Sequence, residues 1–298
     1  MSILVTGATG TVGSLVVRGL ASAGAEVKAL VRQQGKLAFP AGVTEVVGDL
    51  TNVPSMRAAL SSVRTLFLLN AVTPDELTQA LIALNLAHEA GIERIVYLSV
   101  IHADKYVNVP HFTGKHTVER MIEKLGLPVT ILRPAYFMQN EGMVRQAIEG
   151  YGVYPMPIGS TGVAMIDARD IADIAVAELL RRHGASSALP AVTLDLVGPE
   201  LITGASAART WGSALGREIN YAGDDVAAFE AQMATFGPAW LAYDMRLMMA
   251  GIQKIGMHGA DGAADRLQAM LGRPLRNYAS FVSEAVAATR SAAARIRQ

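Results

Sequence analysis

Three glycines at three-residue spacing, Gly7, Gly10 and Gly13, lie between an apolar run, Ile3-Leu4-Val5, and a helical pattern that begins near Thr11. A turn of this kind lets the backbone approach a polyanion. The first glycine allows a tight turn, the second clears a side chain from the ligand's path, and the third lets the helix pack closely on the strand. The helix start offers unpaired N–H groups and the positive end of its dipole to phosphate. Gly7, Thr9, Gly10, Thr11 and Val12 are therefore the candidate phosphate-loop residues. The spacing is G-x-x-G-x-x-G rather than G-x-G-x-x-G, but the context is the expected one: the loop follows a strand, opens a helix and heads a series of strand–helix units.

A second informative position ends the second apolar run. A dinucleotide site that selects NAD places Asp or Glu there, about 20 residues after the loop, on the ribose hydroxyls. This chain has Val31-Arg32-Gln33-Gln34-Gly35-Lys36 instead. A guanidinium pairs with a 2′-phosphate through charge-assisted, bidentate bonds, whereas a carboxylate would repel it. Arg32, with Lys36 as a second cation, points to NADP(H) as the cofactor.

The elements that must hold these residues are strands and helices in alternation. Short apolar runs at 3–5, 27–31, 45–47, 65–69, 95–99 and 129–132 read as strands, with helices over about 11–23, 75–90 and 113–125. Continuous rather than alternating apolar strands imply burial on both faces, as in a parallel sheet covered by helices. The predicted class is α/β, a doubly wound Rossmann sheet with a smaller, mainly helical C-terminal lobe. After Pro134 the rhythm changes: a Gly/Pro-rich stretch runs from 150 to 162, a helix follows over 168–181, a strand over 192–197, and helical sequence from Leu201 onward. Residues 1–135 and about 163–200 are accordingly assigned to the dinucleotide domain, and 136–162 with 201–298 to a substrate lobe. Met233, Met245, Met248, Met249 and Met257 are expected mostly in core, with Trp240 and Tyr243 reaching a pocket for a flat apolar ligand.

Composition narrows the classes further. The 298 residues carry 26 basic and 26 acidic side chains and no like-charge run, which argues against nucleic acid as a partner. Cysteine is absent, so disulfides, thiolate nucleophiles and iron–sulfur clusters are excluded. No secretory leader or membrane-spanning stretch is read, and the expectation is a cytoplasmic protein with no membrane partner. No metal is expected: His111 and His116 are not an i,i+4 pair, and nothing completes a site around them. Gly-Ser-Thr-Gly at 159–162 is not a nucleophile elbow.

Several segments together resemble the NmrA-like branch of the atypical short-chain dehydrogenase/reductases. They are I-L-V-T-G-A-T-G-T-V-G at 3–13, Val31-Arg32, Gly48-Asp49-Leu50, Tyr97-Leu98-Ser99, the stretch from Lys115 to Pro134, D-A-R-D-I-A-D at 167–173, and L-G-R-P-L-R near Leu271. The resemblance implies that Asp49 and Leu50 border the adenine and that Asn70 and Ala71 flank the ribose and pyrophosphate. It implies that Pro134 to Phe137, Tyr136 among them, line the nicotinamide side, with Ser99 nearby. Members of the family divide between reductases of quinones, azo dyes, triphenylmethane dyes or related unsaturated aromatics and redox sensors that act through protein partners, a division the fold does not resolve.

Short-chain dehydrogenases of the ordinary kind use Ser and Tyr-x-x-x-Lys, the Tyr as proton donor and the Lys on the ribose. Lys115 matches that Lys, but His111 stands where the Tyr is expected, and Ser99 lies near the place of the Ser. His111 supplies the proton, or the acceptor is quinone-like and its anion is protonated by water. The expected function is an NADPH-dependent, flavin-free reductase of a small apolar, aromatic, quinone-like or unsaturated acceptor. The alternative is an NADP(H)-binding sensor without turnover. A homodimer is left open.

Overall fold

The computed structural model describes residues 1–296, with side chains to residue 291. In chain order the elements are β1 (Ser2–Val5), α1 (Thr11–Ser22), β2 (Val27–Val31), β3 (Val43–Val47), α2 (Val53–Leu60), β4 (Val63–Leu68), α3 (Glu76–Glu89), β5 (Arg94–Leu98), α4 (Pro110–Lys124) and β6 (Val129–Pro134). A 3-10 turn over Met138–Met143 is followed by α5 (Arg145–Tyr151), β7 (Val153–Tyr154), α6 (Ala168–Gly184) and β8 (Val192–Leu196). The remainder is α7 (Gly204–Leu215), β9 (Asn220–Tyr221), α8 (Val226–Met233), α9 (Ala239–Ile255), α10 (Ala263–Leu271) and α11 (Tyr278–Ile296).

The chain divides into two compact units, one of residues Met1–Pro134 and Ala168–Asp195, the other of Ala135–Asp167 and Leu196–Gln298. The first is built on a sheet of order β3-β2-β1-β4-β5-β6-β8. Pairing is parallel from β3 through β6. The strand order reverses at β1, which puts the loop after β1 at the topological switch point where open α/β sheets bind ligands. Ile3, Leu4, Val5, Val27 and Ala29 are fully buried, as are Leu66, Phe67, Leu68 and Val96. Consecutive residues are thus covered on both faces, which is why these strands read as unbroken apolar runs.

Two features tie this unit together. Helix α6 lies so close to α1 that a Cβ on Gly19 would meet Val176 Cγ2 at 2.8 Å. At the end of α6, the fully buried Arg182 donates to Thr130 Oγ1 (2.5 Å), Pro128 O (2.6 Å) and Pro190 O (2.8 Å), joining α6 to the start of β6 and the segment before β8. A buried guanidinium needs such acceptors, because an unpaired one would be costly to desolvate.

Helix α2 carries no strong apolar periodicity and was not expected. It forms because Asn52 caps it, accepting from Ser55 N–H at 2.9 Å, and Pro54 pre-sets its first turn. Helix α4 begins at Pro110 rather than near Thr113, for the same proline reason.

The second unit is mainly helical, with a two-stranded parallel pair of β7 and β9. At its centre the buried Glu141 accepts hydrogen bonds from Tyr154 Oη (2.8 Å), Tyr278 Oη (3.0 Å) and Trp211 Nε1 (3.1 Å). Met248, Met249 and Met257 are buried, whereas Trp240 and Tyr243 are partly exposed. No helix among the described residues is long and apolar enough to cross a membrane.

Candidate active site

The glycine loop is held open by its neighbours. Gly7 takes φ 60°, and its carbonyl accepts from Gly10 N–H at 2.9 Å, closing a tight turn. Thr6 Oγ1 accepts from Leu69 N–H (2.8 Å) and donates to Leu69 O (2.9 Å), so the ends of β1 and β4 are bolted side by side. A Cβ on Gly13 would sit 2.1 Å from Gly7 O, so the helix can start this close to the strand only as glycine. Helix α1 has Gly10 as its N-cap, no side-chain cap and no acid in its first turn. The first-turn N–H groups of a helix, here those of Thr11 and Val12 among them, lack intrahelical partners, and such a helix start can bind an anion. Thr9, Gly10 and Thr11 are exposed beside them, and Val12 is buried under the helix.

Arg32 and Lys36 are both exposed beyond the end of β2. The turn between them is fixed by Glu45 of β3, whose carboxylate accepts from Gly35 N–H at 2.9 Å. Asp49, beyond the end of β3, accepts from Thr51 Oγ1 (2.6 Å) and Thr51 N–H (2.8 Å). Those bonds hold its carboxyl below the usual range, helped by the positive charge of Arg32. Leu50 packs its side chain on the sheet core, and Ala71 is exposed.

Asn70 follows β4 and is 5 % exposed, yet neither its amide oxygen nor its amide nitrogen has a partner in the protein. Buried amides are normally satisfied. This one presents a free donor and a free acceptor beside the loop that Thr6 joins to Leu69. An orphaned buried amide, an uncapped helix start and a cradle that a Cβ would fill are what a bound dinucleotide requires of the chain, and the residues fit one.

Ser99 and Lys115, at the ends of β5 and within α4, are both engaged. Ser99 Oγ donates to Glu119 Oε1 at 2.5 Å, and Arg133 clamps the same carboxylate from Nε (3.0 Å) and Nη2 (2.6 Å). Lys115 Nζ lies 2.7 Å from Glu76 Oε1, donates to Leu98 O at 3.4 Å, and sits 5.9 Å from the Tyr97 ring centroid. Burial, with the carboxylates of Glu76 and Glu119 nearby, raises the Tyr97 phenol well above its ordinary value. His111 stands in the first turn of α4, half-buried and edge-on to Phe112. Pro134 closes β6, and its carbonyl accepts from Ile101 N–H at 3.0 Å. Tyr136 belongs to the second unit, where its carbonyl accepts from Ile166 N–H at 3.0 Å.

The first unit therefore gathers the glycine loop, Arg32, Asp49, Asn70, Ser99 and Pro134 at the carboxyl ends of successive strands. Thr6, Glu76, Glu119 and Arg133 also shape this edge and were not singled out from the sequence. Among the described residues, no group of three or more His, Asp or Glu is placed to hold a metal ion.

Known proteins resemble this chain over nearly its whole length. Over 291 residues the chain is 33 % identical to an NAD(P)H azoreductase of Xenophilus azovorans, covering 96 % of this chain and 98 % of that one. It is 31 % identical to the (4-alkanoyl-5-oxo-2,5-dihydrofuran-3-yl)methyl phosphate reductase of Streptomyces griseus, across 95 % of this chain and 97 % of the relative. In fold it resembles an NADPH-dependent quinone oxidoreductase from Escherichia coli complexed with NADPH, with a TM-score of 0.82, 24 % identity and coverage of 95 % and 99 % of the two chains. The model of the NmrA-like family matches residues 1–255, most of the chain, and the chain therefore belongs to the NmrA-like family.

Proposed function

We propose that this protein is an NADPH-dependent, flavin-free reductase that passes a hydride to a small apolar acceptor of aromatic, quinone-like or unsaturated character, and that it works in the cytoplasm. The observation that carries the reading is the uncapped start of α1, set against Gly7 and Gly13 at the switch point of the sheet. The whole-length relatives named NAD(P)H azoreductase and (4-alkanoyl-5-oxo-2,5-dihydrofuran-3-yl)methyl phosphate reductase support it.

In this reading Gly7, Thr9, Gly10, Thr11 and Val12 hold the pyrophosphate, Arg32 and Lys36 the 2′-phosphate, and Asp49 and Leu50 the adenine edge. Asn70 and Ala71 flank the ribose, Lys115 donates to it, and Ser99, Pro134 and Tyr136 belong to the nicotinamide end. When bound, the nicotinamide supplies a hydride, and the acceptor takes up that electron pair. Ser99 has committed its own proton to Glu119, so it is no proton donor to the acceptor. For an acceptor whose reduced anion is stabilised, water completes the reaction, and His111 is the acid proposed for acceptors that need one.

Purified protein mixed with NADPH and a panel of quinones, azo dyes and enones is expected to oxidise the cofactor, read as loss of nicotinamide absorbance. NADPH binding without oxidation by any acceptor would overturn the reductase reading in favour of a sensor. His111→Ala is expected to slow proton-requiring acceptors by about 10²–10⁴-fold while quinone reduction survives, measured by stopped flow on the same panel. Arg32→Ala is expected to weaken NADPH by about tenfold or more, the loss of one charge-assisted pair, and to leave NADH nearly unchanged. Titration calorimetry with both cofactors checks this, and equal weakening of the two would remove Arg32 from the 2′-phosphate.

A further inference from the structure

Lys115 does not stand at the strand edge as an isolated cation. Its ammonium is 2.7 Å from Glu76 Oε1, and both side chains are only 9 % exposed. Glu76 lies in the first turn of α3, which follows β4 through the loop that contains Asn70. Lys115 comes from the second turn of α4, and beside this ion pair its Nζ donates a hydrogen bond to Leu98 O at the end of β5. Where Lys is to act by its charge, holding phosphates or easing the ionisation of a neighbouring phenol, a buried carboxylate in contact with it defeats the purpose. At distances beyond their 2.7 Å separation the two charges act as a dipole, whose field fades far faster with distance than that of a single charge. Tyr97, whose ring lies beside the ammonium, has its ionisation opposed by burial and by this same carboxylate.

From this contact we infer that Glu76 is the positioning residue of Lys115. It fixes the ammonium at the carboxyl edge of β4 and β5 and cancels its net charge. Lys115 then meets the dinucleotide through its remaining N–H as a hydrogen-bond donor, not as a cation. The inference rests on the nicotinamide reading above and adds to it a role for a residue on a different helix. It also explains why position 111 needs no tyrosine: a lysine whose charge is spent on Glu76 would give a phenol there little help.

The test is direct binding of NADPH to the full chain, followed by fluorescence at several salt concentrations. In Glu76→Gln the ammonium loses its counter-charge, and the polyanionic cofactor takes over that part. NADPH is expected to bind about tenfold more tightly at low salt, with a steeper salt dependence. The KM for NADPH falls with it, and the thermal shift on adding NADPH exceeds that of the wild type. A contact that merely braces α3 against α4 would lower the melting temperature and move neither Kd nor its salt slope. That result would overturn the inference. Should Glu76→Gln fail to fold, Lys115→Gln and the double variant Lys115→Gln/Glu76→Gln decide the matter. The single variant leaves a buried carboxylate facing the cofactor, and the double variant is expected to bind NADPH about tenfold more tightly than the single one. Equal affinity of the two would overturn the inference. A wild type that fails to bind NADPH at all would instead overturn the nicotinamide reading.

Discussion

Gly13→Ala is expected to abolish NADPH binding at micromolar cofactor and to lower the melting temperature by several degrees. The added Cβ would lie 2.1 Å from Gly7 O, 2.7 Å from Gly7 C and 3.1 Å from Ala8 Cα, all of them backbone atoms that no rotamer change can move. Overpacking that forces side chains off rotamer or shifts the backbone costs about 1–3 kcal/mol, occasionally more, and here the strand–loop–helix backbone itself must shift. In a domain of this size each 1 kcal/mol lowers the melting temperature by about 2–4 °C. The shift also carries the first-turn N–H groups of α1 away from the phosphates, so affinity suffers more than stability. Gly150→Ala is the matched control: its Cβ would enter open space within α5, with NADPH affinity unchanged. Calorimetry and thermal melts of both variants make the comparison, and wild-type affinity in Gly13→Ala would remove the loop from the cofactor site.

The second large effect concerns acid and base rather than space. Glu141 is buried in the second unit with three donors, Tyr154, Tyr278 and Trp211, and no cation among its recorded hydrogen-bond partners. Burial pushes its carboxyl up to about 7 against those hydrogen bonds, which pull it down. A folded-state value raised above the unfolded one means that the native protein binds the proton more tightly. This contribution favours folding while Glu141 is protonated in both states. It weakens as pH rises from about 4.5 to about 7 and is level above that. At about 1.4 kcal/mol per pH unit the loss is of the order of 3 kcal/mol. Glu141→Gln keeps the shape and an acceptor for Trp211 Nε1, and the Tyr154 hydroxyl can rotate to accept from the new amide. The variant is therefore expected to gain about 3 kcal/mol over the wild type between pH 4.5 and pH 7.5. Denaturant titrations of the two proteins at each pH measure the difference, and a pH-independent difference would show that Glu141 does not titrate in this range.

What the amino-acid sequence determined by itself is the local and periodic part of this protein. Apolar runs such as Ile3-Leu4-Val5 and Leu66-Phe67-Leu68 specify buried parallel strands, because a residue covered on both faces must be apolar at every position. The glycine spacing specifies the loop, because only glycine at position 13 clears Gly7 O. The position of Arg32 just past β2 is legible because the apolar run that forms the strand ends at Val31. The tertiary structure alone decided which polar side chains meet. Glu76 with Lys115, Glu119 with Ser99 and Arg133, and Glu141 with Trp211 and Tyr278 are pairings between elements distant in the chain. Glu76 and Glu119 sit in α-helices and Glu141 in the 3-10 turn after β6, and none of the three was singled out from the sequence. A buried carboxylate carries no local signature: its desolvation is offset by donors that the fold, and not the neighbouring residues, brings to it.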